Sequence, residues 1–145
     1  SGALVAGLDA GLAYNTFPLM AGRLVPEGYF ALGATLGNMF ENIAAVQFNH
    51  RVLATLTALA ALGFGLSVRR AADNARLRRA ILIVPAAVLI QYGLGVLTLL
   101  TQVPVALGAA HQAMAVVLFT AVLWAARIAG VTPHSPLQTA TIRAN

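Results

Sequence analysis

The stretch VQFNHRVLATLTALAALGFGLSV, residues 46–68, decides the fold class of this chain. Beyond Arg51 it carries no charged side chain, and a helix of about 20 apolar residues is long enough to cross a bilayer core of about 30 Å. Similar runs follow at residues 80–101 and 105–126. Residues 1–8 are apolar but too short to span, and we interpret them as the end of a truncated transmembrane helix. The pattern predicts an all-α integral membrane protein, a four-helix transmembrane bundle whose first helix is truncated here.

Composition supports the membrane class. Only 9% of the 145 residues are charged, and the mean hydropathy is +0.81, whereas soluble domains have about 25% charged residues. The net charge of +5 does not indicate nucleic acid, because five of the nine basic residues, all arginines, lie between residues 69 and 79. Basic clusters beside apolar spans usually set membrane topology. We therefore expect the lipid bilayer as a partner and no nucleic acid. The lack of cysteine excludes disulfides and thiolate chemistry within this chain.

The arginine distribution also predicts an orientation. The loop at residues 69–79 is expected on the cytoplasmic side, together with a cytoplasmic or matrix tail at residues 131–145. Residues 9–45 then form an outer segment, which faces the periplasm in a bacterium or the intermembrane space in a mitochondrion. This segment holds several aromatic residues, which favour the membrane interface. We expect a short interfacial helix within residues 29–42.

Two histidines are predicted at one depth in the membrane. His50 lies near the outer start of the first span, and His111 lies near the outer start of the third, which runs in the same direction. At about 1.5 Å per residue both lie within one or two turns of the outer surface. A neutral imidazole in hydrocarbon is costly unless it is bonded, so the pair indicates a shared partner. The alternative is that each ring bonds a backbone carbonyl or interfacial water. His134, in the tail, is interpreted as solvated.

The number of histidines favours heme over a lone metal ion. A lone ion usually takes three or four protein ligands, whereas heme iron needs only two axial ligands. A bis-His heme held by His50 and His111 fits this count. Arg51, at the outer end of the first span, could pair with a heme propionate. Alternatively, it could be a cation at the membrane interface whose aliphatic carbons lie in the membrane. Gln47, on nearly the same helical face as His50, and Gln112 are candidates for hydrogen bonding near the ligands.

Three motifs carry a resemblance to a known family. They are GLDAG with YNTFP at residues 7–18, FENIAAVQFNHR at residues 40–51, and VPVALGAAHQ at residues 103–112. In this order they closely resemble the C-terminal half of the heme A synthases, in the form found in alphaproteobacteria and mitochondria. The resemblance runs from Gly2 to about Trp124. It implies one half of an eight-helix, two-repeat membrane enzyme that oxidises the C8 methyl of heme O to the formyl group of heme A.

The resemblance also implies roles for individual residues. His50 and His111 match the pair thought to ligate a heme B group, while heme O would bind as substrate in the missing N-terminal half. That half carries a catalytic glutamate three residues before its first histidine, where this chain has Gln47. We therefore expect the heme B-binding half, relaying electrons and holding no catalytic residue.

The family further implies heme O synthase as a partner and an inner-membrane location, which is the bacterial cell membrane or the mitochondrial inner membrane in a eukaryote. The sequence leaves open the electron-transfer partner and whether the protein forms a homo-oligomer.

Two other functions remain open from the residues alone. The chain could belong to a membrane b-type cytochrome that carries electrons without catalysis of its own. It could also belong to a transporter or assembly subunit whose histidines are structural. An upstream four-span unit with a glutamate three residues before a histidine would favour the enzyme. A purified protein without a Soret band would favour the structural alternative.

Overall fold

The computed structural model of the chain describes residues 1–69 and 75–130. Its elements, in chain order, are α1 (Gly2–Gly7), a 3-10 turn (Ala10–Leu12), α2 (Leu36–Glu41), α3 (Ile43–Arg69), α4 (Ala75–Leu100) and α5 (Val105–Gly130). The described part forms no strand, and its one extended pairing is an isolated bridge between Met20 and Arg23. Part of the expected loop at residues 69–79 and the whole expected tail at residues 131–145, with His134, lie outside the described residues.

Three of these helices are long and apolar enough to cross a membrane: Ile43–Ser67 within α3, and all of α4 and α5. The prediction of an all-α membrane bundle is therefore confirmed, while a fourth span and a two-repeat layout stay predictions. The helix α4 begins at Ala75, five residues before the apolar run, and so includes three of the arginines. Arginine is a good helix former, and its long side chain can reach water from a helix end.

The helix α4 is the centre of the bundle because it packs against both α3 and α5. It approaches α3 closely at Gly65, where an added Cβ would lie 2.9 Å from Pro85 Cγ and 3.5 Å from the carbonyl oxygen of Ile81. Small residues permit such approaches between membrane helices. The helix α4 continues through Pro85. The helix α5 buries none of its own residues, so much of its apolar surface is open to lipid or to further protein.

The outer segment joins the bundle through buried asparagines. The side-chain amide of Asn42 donates to the carbonyl oxygens of Gly28, at 2.7 Å, and Tyr29, at 3.1 Å. Its Oδ1 accepts from the backbone N–H of Ala44, at 2.9 Å, and thereby caps the start of α3. Asn38 donates to the same Tyr29 carbonyl, at 2.7 Å. These bonds hold residues 28 and 29 in turns. Within residues 29–42 helix forms at α2, and its placement along the membrane interface stays a prediction.

Candidate functional site

His50 lies in the second turn of α3, half-buried beneath the beginning of the chain. Its Nδ1 lies 2.9 Å from the Ser1 hydroxyl oxygen. A Cβ added to Gly2 would lie 3.5 Å from His50 Cε1. The imidazole therefore faces α1, which packs against α3.

His111 lies in the second turn of α5, and its ring faces α4. The amide nitrogen of Gln91 lies 3.2 Å from Nδ1 and 3.4 Å from Nε2 of His111, and it donates to the His111 carbonyl oxygen at 3.1 Å. A Cβ at Gly95 would lie 2.9 Å from His111 Cε1, closer than real Cβ atoms come. The ring therefore occupies space that any larger residue at position 95 would fill.

Arg51 is bound to the backbone of the outer segment. One terminal nitrogen of its guanidinium donates to the carbonyl oxygen of Thr16 and the other to that of Tyr14, both at 2.7 Å. Gln47, one turn earlier and only 2% exposed, donates to the same Tyr14 carbonyl at 3.2 Å. These bonds to carbonyl dipoles offset part of the cost of holding a cation in a half-buried position.

Residues 14–17 form a strap across the N-terminal end of α3 and the C-terminal end of α4. Asn15 donates from its side-chain amide to the carbonyl oxygen of Leu99 at 3.0 Å, which also accepts from the backbone N–H of Gln102, just past the end of α4, at 3.1 Å. The ring of Phe17 meets that of Tyr92 edge to face, with centroids 6.2 Å apart. Arg51 binds the strap from α3, so the YNTF motif fixes the spacing of the two helices on the side where His50 and His111 lie.

Three buried polar atoms in the described residues have no hydrogen-bond partner: Gln47 Oε1, Arg51 Nε and Gln91 Oε1. An unbonded buried polar group costs about 1–3 kcal/mol. All three belong to residues that contact the strap or the His111 ring. Unpaired polar groups are therefore concentrated around the candidate site, which is where a binding function tolerates them.

The predicted site residues fall into two groups in the structure. Gln47, His50 and Arg51 follow one another along the first turns of α3, and His111 lies on α5 against α4. Gln112, the neighbour of His111 in sequence, is exposed. Within residues 1–69 and 75–130, no group of three or more His, Cys, Asp or Glu side chains is arranged to hold a metal ion.

Sequence reasoning missed two residues of α4, Gln91 and Gly95, which contact the His111 ring. A signal existed for Gln91, because a side-chain amide in the middle of the apolar run at residues 80–101 needs a polar partner. Gly95 gave no such signal, since small residues are common throughout membrane helices.

The fold and site define a multi-pass helical membrane protein with two half-buried histidines, each in the second turn of its span. The family model of the cytochrome oxidase assembly proteins, COX15-CtaA, matches residues 1–123. The chain therefore belongs to this family.

Curated relatives agree with this assignment. The chain is 57% identical to a heme A synthase of Granulibacter bethesdensis over 93% of its own length and 33% of the relative's. It is 46% identical to a heme A synthase of Nitrosomonas eutropha over 88% of the chain and 36% of the relative, and 47% identical to that of Wolbachia pipientis over 85% and 33%. The chain thus spans about a third of the length of these relatives. No solved structure matches it.

Proposed function

We propose that this chain is the heme B-binding half of a heme A synthase, an oxidoreductase that converts the C8 methyl of heme O to the formyl group of heme A. Relatives named heme A synthase, similar along most of the chain, support the activity. The observation that carries the site assignment is the pair His50 and His111, two half-buried imidazoles in corresponding turns of α3 and α5. The catalytic residues and the heme O site belong to the other half of the protein.

The residues present suit a bis-His heme. Two imidazoles meet the axial requirement of heme iron without a third protein ligand. Gly95 leaves room for the His111 ring itself, and Gln91 Oε1 is a buried acceptor without a donor. When bound, such a heme supplies one-electron redox chemistry, because bis-His ligation leaves no open iron position.

The residues of this chain then have distinct tasks. His50 and His111 would hold the iron from α3 and α5. Arg51 and Gln47 anchor the strap through the carbonyl oxygens of Tyr14 and Thr16. Each terminal nitrogen of Arg51 uses one N–H in this way and its buried Nε has no partner, so the guanidinium keeps donors for a propionate.

The proposal extends to location and partners. We place the protein in the inner membrane, with the strap on the periplasmic or intermembrane-space side and the first turns of α4 on the opposite side, because the arginines cluster there. Heme O reaches the enzyme as a substrate, and the enzyme that makes heme O is the expected partner.

The test is a reduced-minus-oxidised visible spectrum of the full-length protein, purified in detergent. The wild type should show a low-spin b-type spectrum. His50→Ala and His111→Ala should each lose it or become high-spin, while His134→Ala serves as the matched control and should keep it. Unchanged heme content in both site variants would refute the ligand assignment.

A second assay separates the enzyme from an electron carrier. Hemes extracted from cells that lack the protein should contain heme O and no heme A, and the wild-type gene should restore heme A. His111→Ala should restore little or none. Heme A formation that is independent of the protein would favour the carrier.

A further inference from the structure

The side-chain amide of Gln91 is held between α4 and the His111 ring. Its nitrogen donates to the His111 carbonyl oxygen at 3.1 Å and lies 3.2 Å from Nδ1 and 3.4 Å from Nε2. One atom nearly equidistant from both ring nitrogens cannot lie along the lone-pair direction of each. The amide nitrogen therefore lies beside the imidazole but forms no well-directed hydrogen bond to either ring nitrogen.

The oxygen of the same amide differs from the nitrogen in its hydrogen bonding. Gln91 Oε1 is buried and accepts no hydrogen bond, although Gln91 lies on a helix that spans the membrane, where polar groups need partners. A buried polar atom of a native protein that lacks a partner calls for a specific explanation, of which a role toward a bound group is one. The chemistry of His111 supplies one, because a histidine that ligates iron through Nε2 carries its proton on Nδ1 and donates it to a nearby acceptor.

We propose that Gln91 is a positioning residue for His111: in the heme-bound protein the two side chains readjust so that Nδ1–H of His111 donates to Oε1 of Gln91, in place of the amide nitrogen that lies 3.2 Å from Nδ1 in this structure. This bond sets the tautomer of the imidazole and its rotation about the iron bond. Gly95 contributes by lacking a Cβ, which would lie 2.9 Å from the ring. The inference rests on the proposed function of His111 as an axial ligand.

The proposed bond has an electronic consequence. An acceptor on Nδ1–H increases the basicity of the imidazole and its donation to iron, which stabilises the ferric state and lowers the midpoint potential. A merely structural role of Gln91 predicts a different result. If Gln91 only joins α4 to α5 through its bond to the His111 carbonyl, its loss should lower stability and leave the potential unchanged.

The experiment is a redox titration of the full-length, detergent-purified protein, followed by its b-type band. Gln91→Met keeps the length of the side chain and removes both amide atoms. Gln91→Glu keeps an acceptor oxygen and removes the donor to the His111 carbonyl. Tyr92→Phe is the matched control, because it removes the hydroxyl that contacts Thr55 Oγ1 at 2.9 Å, on the neighbouring position of α4, and leaves the His111 surroundings intact.

We expect Gln91→Met to raise the midpoint potential and to weaken heme retention about 10-fold, with Gln91→Glu and Tyr92→Phe not above the wild type. A Gln91→Met potential equal to that of the wild type, or a Gln91→Glu potential raised as far as that of Gln91→Met, overturns the proposal. If Gln91→Met does not accumulate, the result for Gln91→Glu decides. A midpoint potential of Gln91→Glu at or below that of the wild type supports the role. A raised midpoint potential, or failure of Gln91→Glu to accumulate, overturns it.

The wild-type spectrum keeps this test separate from that of the function. Wild-type protein without a b-type band overturns the ligand role of His111 and with it this inference. A wild-type band combined with an unshifted Gln91→Met potential overturns only the role of Gln91.

Discussion

The guanidinium of Arg51 donates to the carbonyl oxygen of Tyr14 at 2.7 Å, across 37 positions of sequence. Together with its bond to Thr16, this contact attaches the strap of residues 14–17 to the third turn of α3. An arginine next to a candidate heme ligand thus has a structural role in the outer segment, in addition to any role toward a propionate.

Replacing Arg51 should loosen the strap. Hydrogen bonds from charged groups are worth about 1.5–3 kcal/mol each, and because glutamine keeps some donor capacity, we expect Arg51→Gln to cost about 2 kcal/mol of local stability. That corresponds to about 30-fold faster amide exchange in peptides covering residues 11–24, measured by hydrogen exchange of the full-length protein. Arg127→Gln, at an exposed arginine in the last turn of α5, is the control. Equal exchange in Arg51→Gln and wild type would show that the strap holds without the guanidinium.

A second prediction concerns Asn42, which caps α3 and also binds Gly28 and Tyr29. Asn42→Ala removes both functions and should lower the free energy of unfolding by about 2–3 kcal/mol, of which the helix cap accounts for about 1 kcal/mol. Asn42→Ser keeps a capping oxygen but has no amide to donate to the preceding turns. It should recover only the cap, so its stability, measured by thermal denaturation in detergent, should lie between those of Asn42→Ala and wild type. Equal stability of the two variants would contradict a capping role.

The sequence predicted the spans well because spanning a bilayer imposes a length and an apolarity that few other structures require. Locating His50 and His111 near the starts of α3 and α5 followed directly from those spans. The partners of these residues did not follow. The contact between Gln91 and His111 depends on the rotation of α4 about its axis, and a helix that is apolar on all sides does not encode that rotation in its pattern. Arg51 binds backbone carbonyls, which every residue carries, so no side-chain signal marks its partners.

The close contact between α3 and α4 at Gly65 leads to a third prediction. Gly65→Ala would bring a Cβ to 2.9 Å from Pro85 Cγ, and since a proline ring cannot rotate away, the helices must separate. Overpacking of this kind costs about 1–3 kcal/mol, and the melting temperature in detergent should fall. Gly63→Ala is a matched control on the same helix, because its Cβ would meet nothing within 4 Å. Alanine favours helix over glycine by up to about 1 kcal/mol, so Gly63→Ala should be neutral or stabilising. The same loss in both variants would attribute the effect to helix flexibility instead of packing.

The last prediction tests orientation, and the absence of cysteine from this chain makes it accessible. Leu24 is 77% exposed in the outer segment, and Ala75 is exposed at the first residue of α4. With any other cysteines of the full-length protein removed, Leu24→Cys should react with a membrane-impermeant maleimide in intact cells. Ala75→Cys should react only after the membrane is permeabilised, because the arginines that begin α4 favour the cytoplasmic side.

Removing the arginine charges tests whether they determine the orientation. The first turns of α4 carry Arg76, Arg78 and Arg79, and replacing all three with glutamine removes most of the described positive charge from that side. If these charges set the topology, labelling of Leu24→Cys in intact cells should fall in the triple variant, whereas Arg127→Gln alone should leave it unchanged. If Ala75→Cys is labelled in intact cells without the triple replacement, the orientation is the opposite of the proposed one. His50 and His111 would then lie near the cytoplasmic face.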